Sequence, residues 1–198
     1  MVGQDVIVAN SSYNILYLGI DNPIDFASKT IKQKELLLTA KSGEIRNYQG
    51  SYFYRNCSNQ PGAIVIYAHN ARTKRLIDSV EFRLKRLPDP RVTISASGMF
   101  EGGYKGEDIL KDIYGVRCYY SDDLTDQPCK IIGFTMTISH PSGSSKEIYV
   151  NGSQISSDLK AELASIILDG DSVIINDFKI IVGCVKESRL VKNLIKIK

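Results

Sequence analysis

The stretch Val80-Glu81-Phe82-Arg83-Leu84-Lys85-Arg86-Leu87-Pro88-Asp89-Pro90 decides the fold. Val80, Phe82 and Leu84 alternate with Glu81, Arg83 and Lys85, the period of two that a strand with one buried and one wet face requires. Pro88 and Pro90 then end it, because proline offers no N–H to a ladder and disfavours helical backbone in the residue before it. A strand that closes one unit, followed by a stiff Pro88-Asp89-Pro90 step, predicts a domain junction whose prolines limit the swing between the parts. The chain is therefore expected to be mainly β, with two tandem domains at 1–88 and 89–198.

Upstream of this strand, short apolar segments recur between turn residues: Asp5 to Ala9, Asn14 to Gly19, Ile24 to Ala27, Glu35 to Ala40, Gly43 to Tyr48, Ser51 to Arg55 and Ala63 to His69. Asp21-Asn22-Pro23 reads as a turn, since Asn bonds its own backbone and Pro fixes φ. Strands at roughly 8–12-residue spacing predict an immunoglobulin-like β-sandwich. This half has no tryptophan and a single cysteine, Cys57, so apolar burial alone is expected to hold it.

The second half predicts strands at Arg91 to Ser97, Val116 to Tyr120, Ile131 to Ser139, Lys146 to Val150, Val173 to Asn176, Phe178 to Val182 and Leu194 to Lys198. Asn151-Gly152 signals a tight turn. One convincing helix falls at 157–168: Ser156 or Ser157 can cap it, Leu159, Leu163, Ile166 and Ile167 share a face, and Gly170 ends it. Glu107 to Ile113 reads as a second, short helix. This half is a β-rich domain with one inserted helix.

Composition sets the outer limits. The chain has 198 residues, is 43% hydrophobic and 24% charged, and carries a formal charge of +3. That is the balance of a folded soluble protein, and the charge is too small to imply nucleic acid. No run approaches the ~20 apolar residues of a membrane span, so direct membrane insertion is not expected. Residues 1–10 lack a charged segment followed by a long apolar one, so the expectation is that any targeting segment is absent from this chain.

Four cysteines leave more than one arrangement open. Cys118 and Cys129 flank a hairpin-like loop, and both a bridge and a free pair fit that spacing; a bridge there contributes about 3 kcal/mol in the chain-entropy treatment. Cys184 ends an apolar run and reads as a small buried hydrophobe, while Cys57 reads as an exposed turn residue. With no Cys-x-x-Cys pair, zinc is not expected.

Signals for chemistry are weak. The glycine-rich stretch Gly98 to Gly106 matches neither phosphate-binding fingerprint and reads as a bent strand. Asp122, Asp123 and Asp126 lack the spacing of a calcium loop and read as a solvated hairpin tip. His69 and His140 lie beside no nucleophile in sequence. No catalytic residue, cofactor or metal is assigned. The basic residues Arg72, Lys74, Arg75, Arg83, Lys85 and Arg86 fall in one hairpin and its exit. They read either as a wet strand face whose charge blocks edge aggregation or as a protein contact; Tyr17 and Tyr67 are placed near them. Asn10, Asn56 and Asn151 each open a formal glycosylation triplet, a pattern common by chance.

Two stretches taken together carry a family resemblance. Asn14-Ile15-Leu16-Tyr17-Leu18-Gly19-Ile20-Asp21-Asn22-Pro23, followed by Phe82 to Pro90, closely resembles the C-terminal part of the gliding-motility GldM family of the type IX secretion machinery of Bacteroidota. Gly170-Asp171-Ser172-Val173 and Asn176-Asp177-Phe178-Lys179 also resemble that family's last domain. The resemblance implies that 1–88 is like the family's third domain and 89–198 like its fourth. It further implies a non-enzymatic periplasmic module, an intertwined homodimer, and partners in the envelope ring of the secretion and gliding apparatus. Asn22, Pro23, Pro88, Asp89 and Pro90 are its turn and junction residues. The alternative is a secreted or surface-associated immunoglobulin-like module that binds a glycan or a host protein.

Overall fold

A computed structural model describes residues 6–9, 14–28, 31–97, 110–120 and 127–197. The protein is mainly β, with one eight-residue α-helix among the described elements. It divides into two compact units: Met1–Pro88 with Gly183–Lys186, and Asp89–Val182 with Glu187–Lys198. Residues 183–186 thus pack with the first unit rather than with the rest of 89–198. No helix among the described residues is long and apolar enough to cross a membrane.

The first unit is built from β1 (Val6–Ala9), β2 (Ile15–Tyr17), β3 (Asn22–Ser28), β4 (Leu36–Ala40), β5 (Glu44–Tyr48), β6 (Ser51–Arg55), β7 (Gly62–Asn70) and β8 (Leu76–Lys85). They form two four-stranded sheets, ordered β1-β3-β6-β5 and β2-β8-β7-β4. One apolar cluster joins the sheets, with Leu16, Leu36, Leu38, Ile64, Ile66, Phe82 and Leu84 from one and Ile24, Tyr52 and Tyr54 from the other. The alternation in β8 is the reason for this placement: Phe82 and Leu84 are buried, and Glu81, Arg83 and Lys85 are exposed. Each such side chain contributes about 1.5–3 kcal/mol on burial.

The two stretches that carry the family resemblance are neighbours in space. β2 pairs with β8 in parallel, in the register Ile15↔Arg83, Leu16↔Leu84 and Tyr17↔Lys85. The Leu18 amide extends the ladder by donating to the Lys85 carbonyl (2.9 Å).

The turn expected at Asp21-Asn22-Pro23 lies earlier, at Leu18 to Ile20, and Asn22 and Pro23 are the first residues of β3. Gly19 supplies the left-handed backbone the turn needs (φ 88°). Among the described residues β1 pairs with Asp25 to Ser28, and Pro23 has one neighbouring strand, β6, where a strand proline is tolerated.

The second unit contains β9 (Arg91–Ala96), β10 (Ile113–Tyr119), β11 (Cys129–Ser139), β12 (Ser145–Asn151), α1 (Ser157–Ala164), β13 (Ser172–Val182), β14 (Arg189–Val191) and β15 (Ile195–Ile197). β9 and β10 pair as an antiparallel ribbon. The larger sheet runs β12-β11-β13, and β14 and β15 take successive lengths of the far edge of β13. Phe134, Met136, Ile175, Phe178 and Ile180 are completely buried here.

Several local expectations are corrected. The strands expected at Val173 to Asn176 and Phe178 to Val182 are one strand, β13, in which Asp177 takes a left-handed conformation (φ 49°) and the pairing with β11 shifts register. That bulge absorbs one residue without ending the ladder. The helix expected at 157–168 stops at Ala164. Its start is as read, with Ser156 Oγ accepting from the Leu159 amide (3.2 Å). Its end is set by Ser165, whose hydroxyl donates to the Glu162 carbonyl (2.7 Å); further on, Asp171 accepts from the Leu168 amide (2.9 Å) and fastens the turn before β13. Ile113, expected at the end of a short helix, begins β10 instead. Gly98 to Gly106, Glu107 to Ile109, Asn10 and the aspartates 122, 123 and 126 lie outside the described residues.

Candidate functional site

The first unit has a fastened end where three segments far apart in sequence meet. Asn22 is 3% exposed, and the hydrogen bonds of its side chain go to backbone. Oδ1 accepts from the Tyr17 amide (2.6 Å), and Nδ2 donates to the carbonyls of Tyr17 (2.8 Å), Ile20 (3.1 Å) and Tyr54 (3.2 Å). A primary amide serves both roles at once, whereas a carboxylate could only accept. The Gly19 amide donates to the Asn56 carbonyl (2.8 Å), and the Cys184 amide donates to the Gly19 carbonyl (2.9 Å). A Cβ at Gly183 would overlap the Gly19 carbonyl, so glycine is required for that approach.

A disulfide between Cys57 and Cys184 closes this arrangement, with Cα atoms 5.2 Å apart and a sequence separation of 127. This corrects two readings at once: Cys184 is not a free buried hydrophobe, and apolar burial does not hold the first unit alone. Spacing could not reveal the pairing, since the partners lie 127 residues apart. Val185, next to the bridge, joins the apolar cluster of the first unit. In the chain-entropy treatment such a loop is worth about 5 kcal/mol, against about 3 kcal/mol for a short one. Cys118 and Cys129 are also joined, at a separation of 11. No cysteine is left as a thiol.

Asn56 opens one of the glycosylation triplets, but it is 7% exposed and occupied. Its Nδ2 donates to the Tyr54 hydroxyl (3.0 Å) and its Oδ1 accepts from the Ser58 amide (2.9 Å). Asn151, at the end of β12, is exposed.

The basic residues do not form one patch. Arg72, Lys74 and Arg75 sit on the β7–β8 turn, where Asn70 Oδ1 accepts from the amides of Arg72 (3.0 Å) and Thr73 (2.9 Å). Arg83 and Lys85 lie at the other end of β8, roughly 26 Å away at the rise of an extended strand. Arg83 and Lys85 are exposed beside the half-buried Ile15 and Tyr17 of β2. Arg86 is spent on structure, donating to the Asn59 carbonyl through Nη2 (2.9 Å) and Nε (3.3 Å). Tyr67 stands abreast of Ser79 and Thr39, partway along the hairpin, and does not join Tyr17. The interaction candidates that stay together are therefore Tyr17, Arg83 and Lys85.

At the junction, Pro88 and Asp89 are exposed and Pro90 is buried. Within the second unit, Arg189 of β14 approaches Asp89 (Nε to Oδ1, 3.5 Å) and donates to the Tyr120 hydroxyl (2.9 Å). Burial raises the Tyr120 pKa above its ordinary 10.0, while the Arg189 guanidinium pulls it down. Asp89 thus has a definite partner on a strand the sequence reading missed.

The histidines have polar partners. His69 Nε2 lies 3.1 Å from Thr39 Oγ1, and His140 Nδ1 lies 3.0 Å from Oδ1 of the buried Asp171. Among the described residues, no three His, Cys, Asp or Glu side chains come together as a metal site would need.

Together these features define a class: a mainly β protein with two disulfides, whose first unit is stitched by a buried asparagine and a long-range bridge. No protein-family model matches the chain, and no curated protein sequence matches it.

Proposed function

We propose that the chain is a non-enzymatic structural and interaction module of a bacterial cell envelope, resembling the distal periplasmic domains of the GldM family and contacting ring components of the secretion and gliding apparatus. The observation that carries this reading is the pairing of its two motifs. Asn14 to Pro23 and Phe82 to Pro90 resemble the family separately in sequence, and as β2 and β8 they lie side by side in parallel. Gly19 and Asn22 within the first motif are the residues that fasten the turn, which supports a structural role for the motif.

The strand order supports an immunoglobulin-like first unit. Order β1-β3-β6-β5 opposite β8-β7-β4 corresponds to ABED opposite GFC, with β2 added beside the last strand. Two disulfides suit a periplasmic home, where such bonds persist. Crosslinking in the cells that express the protein, followed by purification, tests the function. Recovery of envelope ring proteins is the expected result, and recovery of none sinks the reading. Light scattering tests the homodimer, for which a mass near twice 22.0 kDa is expected and a species of 22.0 kDa alone at high concentration counts against it.

A further inference from the structure

Away from the fastened end, two strand edges of the first unit have no neighbouring strand among the described residues: β4 pairs with β7 alone, and β5 with β6 alone. Between them lies a cleft of about 630 Å3 lined by Lys34, Leu36, Leu38, Ile45, Asn47 and Tyr52. The ladder settles which backbone groups face it. The Ala71 amide donates to the Glu35 carbonyl (2.7 Å), so in the same antiparallel register Leu37 with His69 and Thr39 with Tyr67 are the hydrogen-bonded pairs. Leu36, Leu38 and Ala40 therefore turn their N–H and C=O groups away from β7, and of these Leu36 and Leu38 line the cleft while Ala40 continues the same edge beyond it.

The Leu36 carbonyl is taken by the Tyr52 hydroxyl (2.9 Å). The outward backbone groups of Leu38 and Ala40 meet no protein partner among the described residues. Donors and acceptors repeating at about 7 Å along a line match the backbone of an extended chain, and the apolar walls suit its alternate side chains. Charge narrows the occupant further. Exposed Lys32 and Lys34 precede β4 and exposed Lys41 follows it, with Glu35 the one exposed acid among them. On β5, whose Ile45 and Asn47 line the cleft, the exposed Arg46 and Glu44 neutralise each other (2.7 Å).

We propose that the β4 edge and this cleft accept an extended segment of a partner protein as an added strand, apolar at alternate positions and acidic at its ends. This site does not depend on which assembly the chain serves. The probe is a capped synthetic peptide of alternating valine and threonine with aspartates at both ends, compared with a lysine-ended counterpart, on the intact oxidised protein. Hydrogen exchange read by NMR is expected to show the Leu38 and Ala40 amides protected by the acidic peptide and not by the basic one. Ala40→Pro removes one outward N–H and leaves the β7 ladder in place, so binding should weaken about tenfold or more, the worth of one such hydrogen bond. The double variant Lys34→Glu with Lys41→Glu should invert the preference between the peptides, and it tests the site even if the proline variant fails to fold. Protection elsewhere, equal binding of both peptides, no binding, or no response to the variants overturns the proposal. A dimer that Ala40→Pro abolishes also overturns it, because the occupant would then be a second copy of this chain.

Discussion

The two sides of the first unit treat their backbone polar groups in opposite ways. Around Gly19 and Asn22, amides and carbonyls from three distant segments are satisfied by one another and by a buried side-chain amide, and a disulfide locks the set. Along β4, by contrast, the outward groups of Leu38 face a cleft and those of Ala40 continue the same edge. Unsatisfied backbone groups are costly when buried and ready to bind when water can be displaced. The difference teaches where rigidity is built and where a partner can be received.

The largest effect expected from breaking this contrast comes at the disulfide. Replacing Cys57 and Cys184 together with serine should cost about 3–5 kcal/mol in urea unfolding, because the closed loop is long. A loss no larger than that at the Cys118–Cys129 pair would mean the fastened end is held by its hydrogen bonds instead. Asn22→Ala should come next, at about 2–4 kcal/mol, since it leaves the Tyr17, Ile20 and Tyr54 backbone groups without their partner. Asn22→Asp should rescue little, because a carboxylate cannot donate to three carbonyls.

A third prediction concerns the second unit and pH. The folded state holds the Tyr120 proton more tightly than the unfolded chain, because burial raises its pKa. Its contribution is therefore complete below about pH 10 and is lost as pH rises through the raised folded value. Tyr120→Phe should flatten the alkaline fall in stability above about pH 10; an unchanged fall would remove Tyr120 as its cause. The smallest effect belongs to the open edge. Ala40→Pro in the unliganded protein should cost under about 1 kcal/mol, because the lost N–H has no partner among the described residues. A much larger cost, seen by thermal unfolding, would show that the β4 edge is paired and not open.

What the sequence revealed follows the range of the interaction. The β8 strand was legible because alternation at Val80 to Lys85 is local, and burial of Phe82 and Leu84 follows directly from it. The helix start at Ser156 was legible for the same reason, whereas its end was not, since the apolar spacing runs on through Ile166 and Ile167 after Ser165 has capped the helix. Asn22 was read as a turn residue because Asn-Pro favours turns; its bond to Tyr54 across 32 residues is what places it in a strand. Cys57 with Cys184, and Arg189 with Asp89, depend on pairings that no local pattern encodes. The cleft beside β4 was invisible because edge and centre strands carry the same alternation, and only the sheet order tells them apart.

Native-state hydrogen exchange on the oxidised, unliganded protein tests the contrast most directly. The amides of Leu18, Gly19 and Cys184, which donate to Lys85, Asn56 and Gly19, should be among the slowest of the first unit. Those of Leu38 and Ala40 should exchange at least about a hundredfold faster, although Leu38 is itself a core residue. Reduction of the disulfides should speed the first group and leave the second unchanged. Equal protection of the two groups would contradict the account.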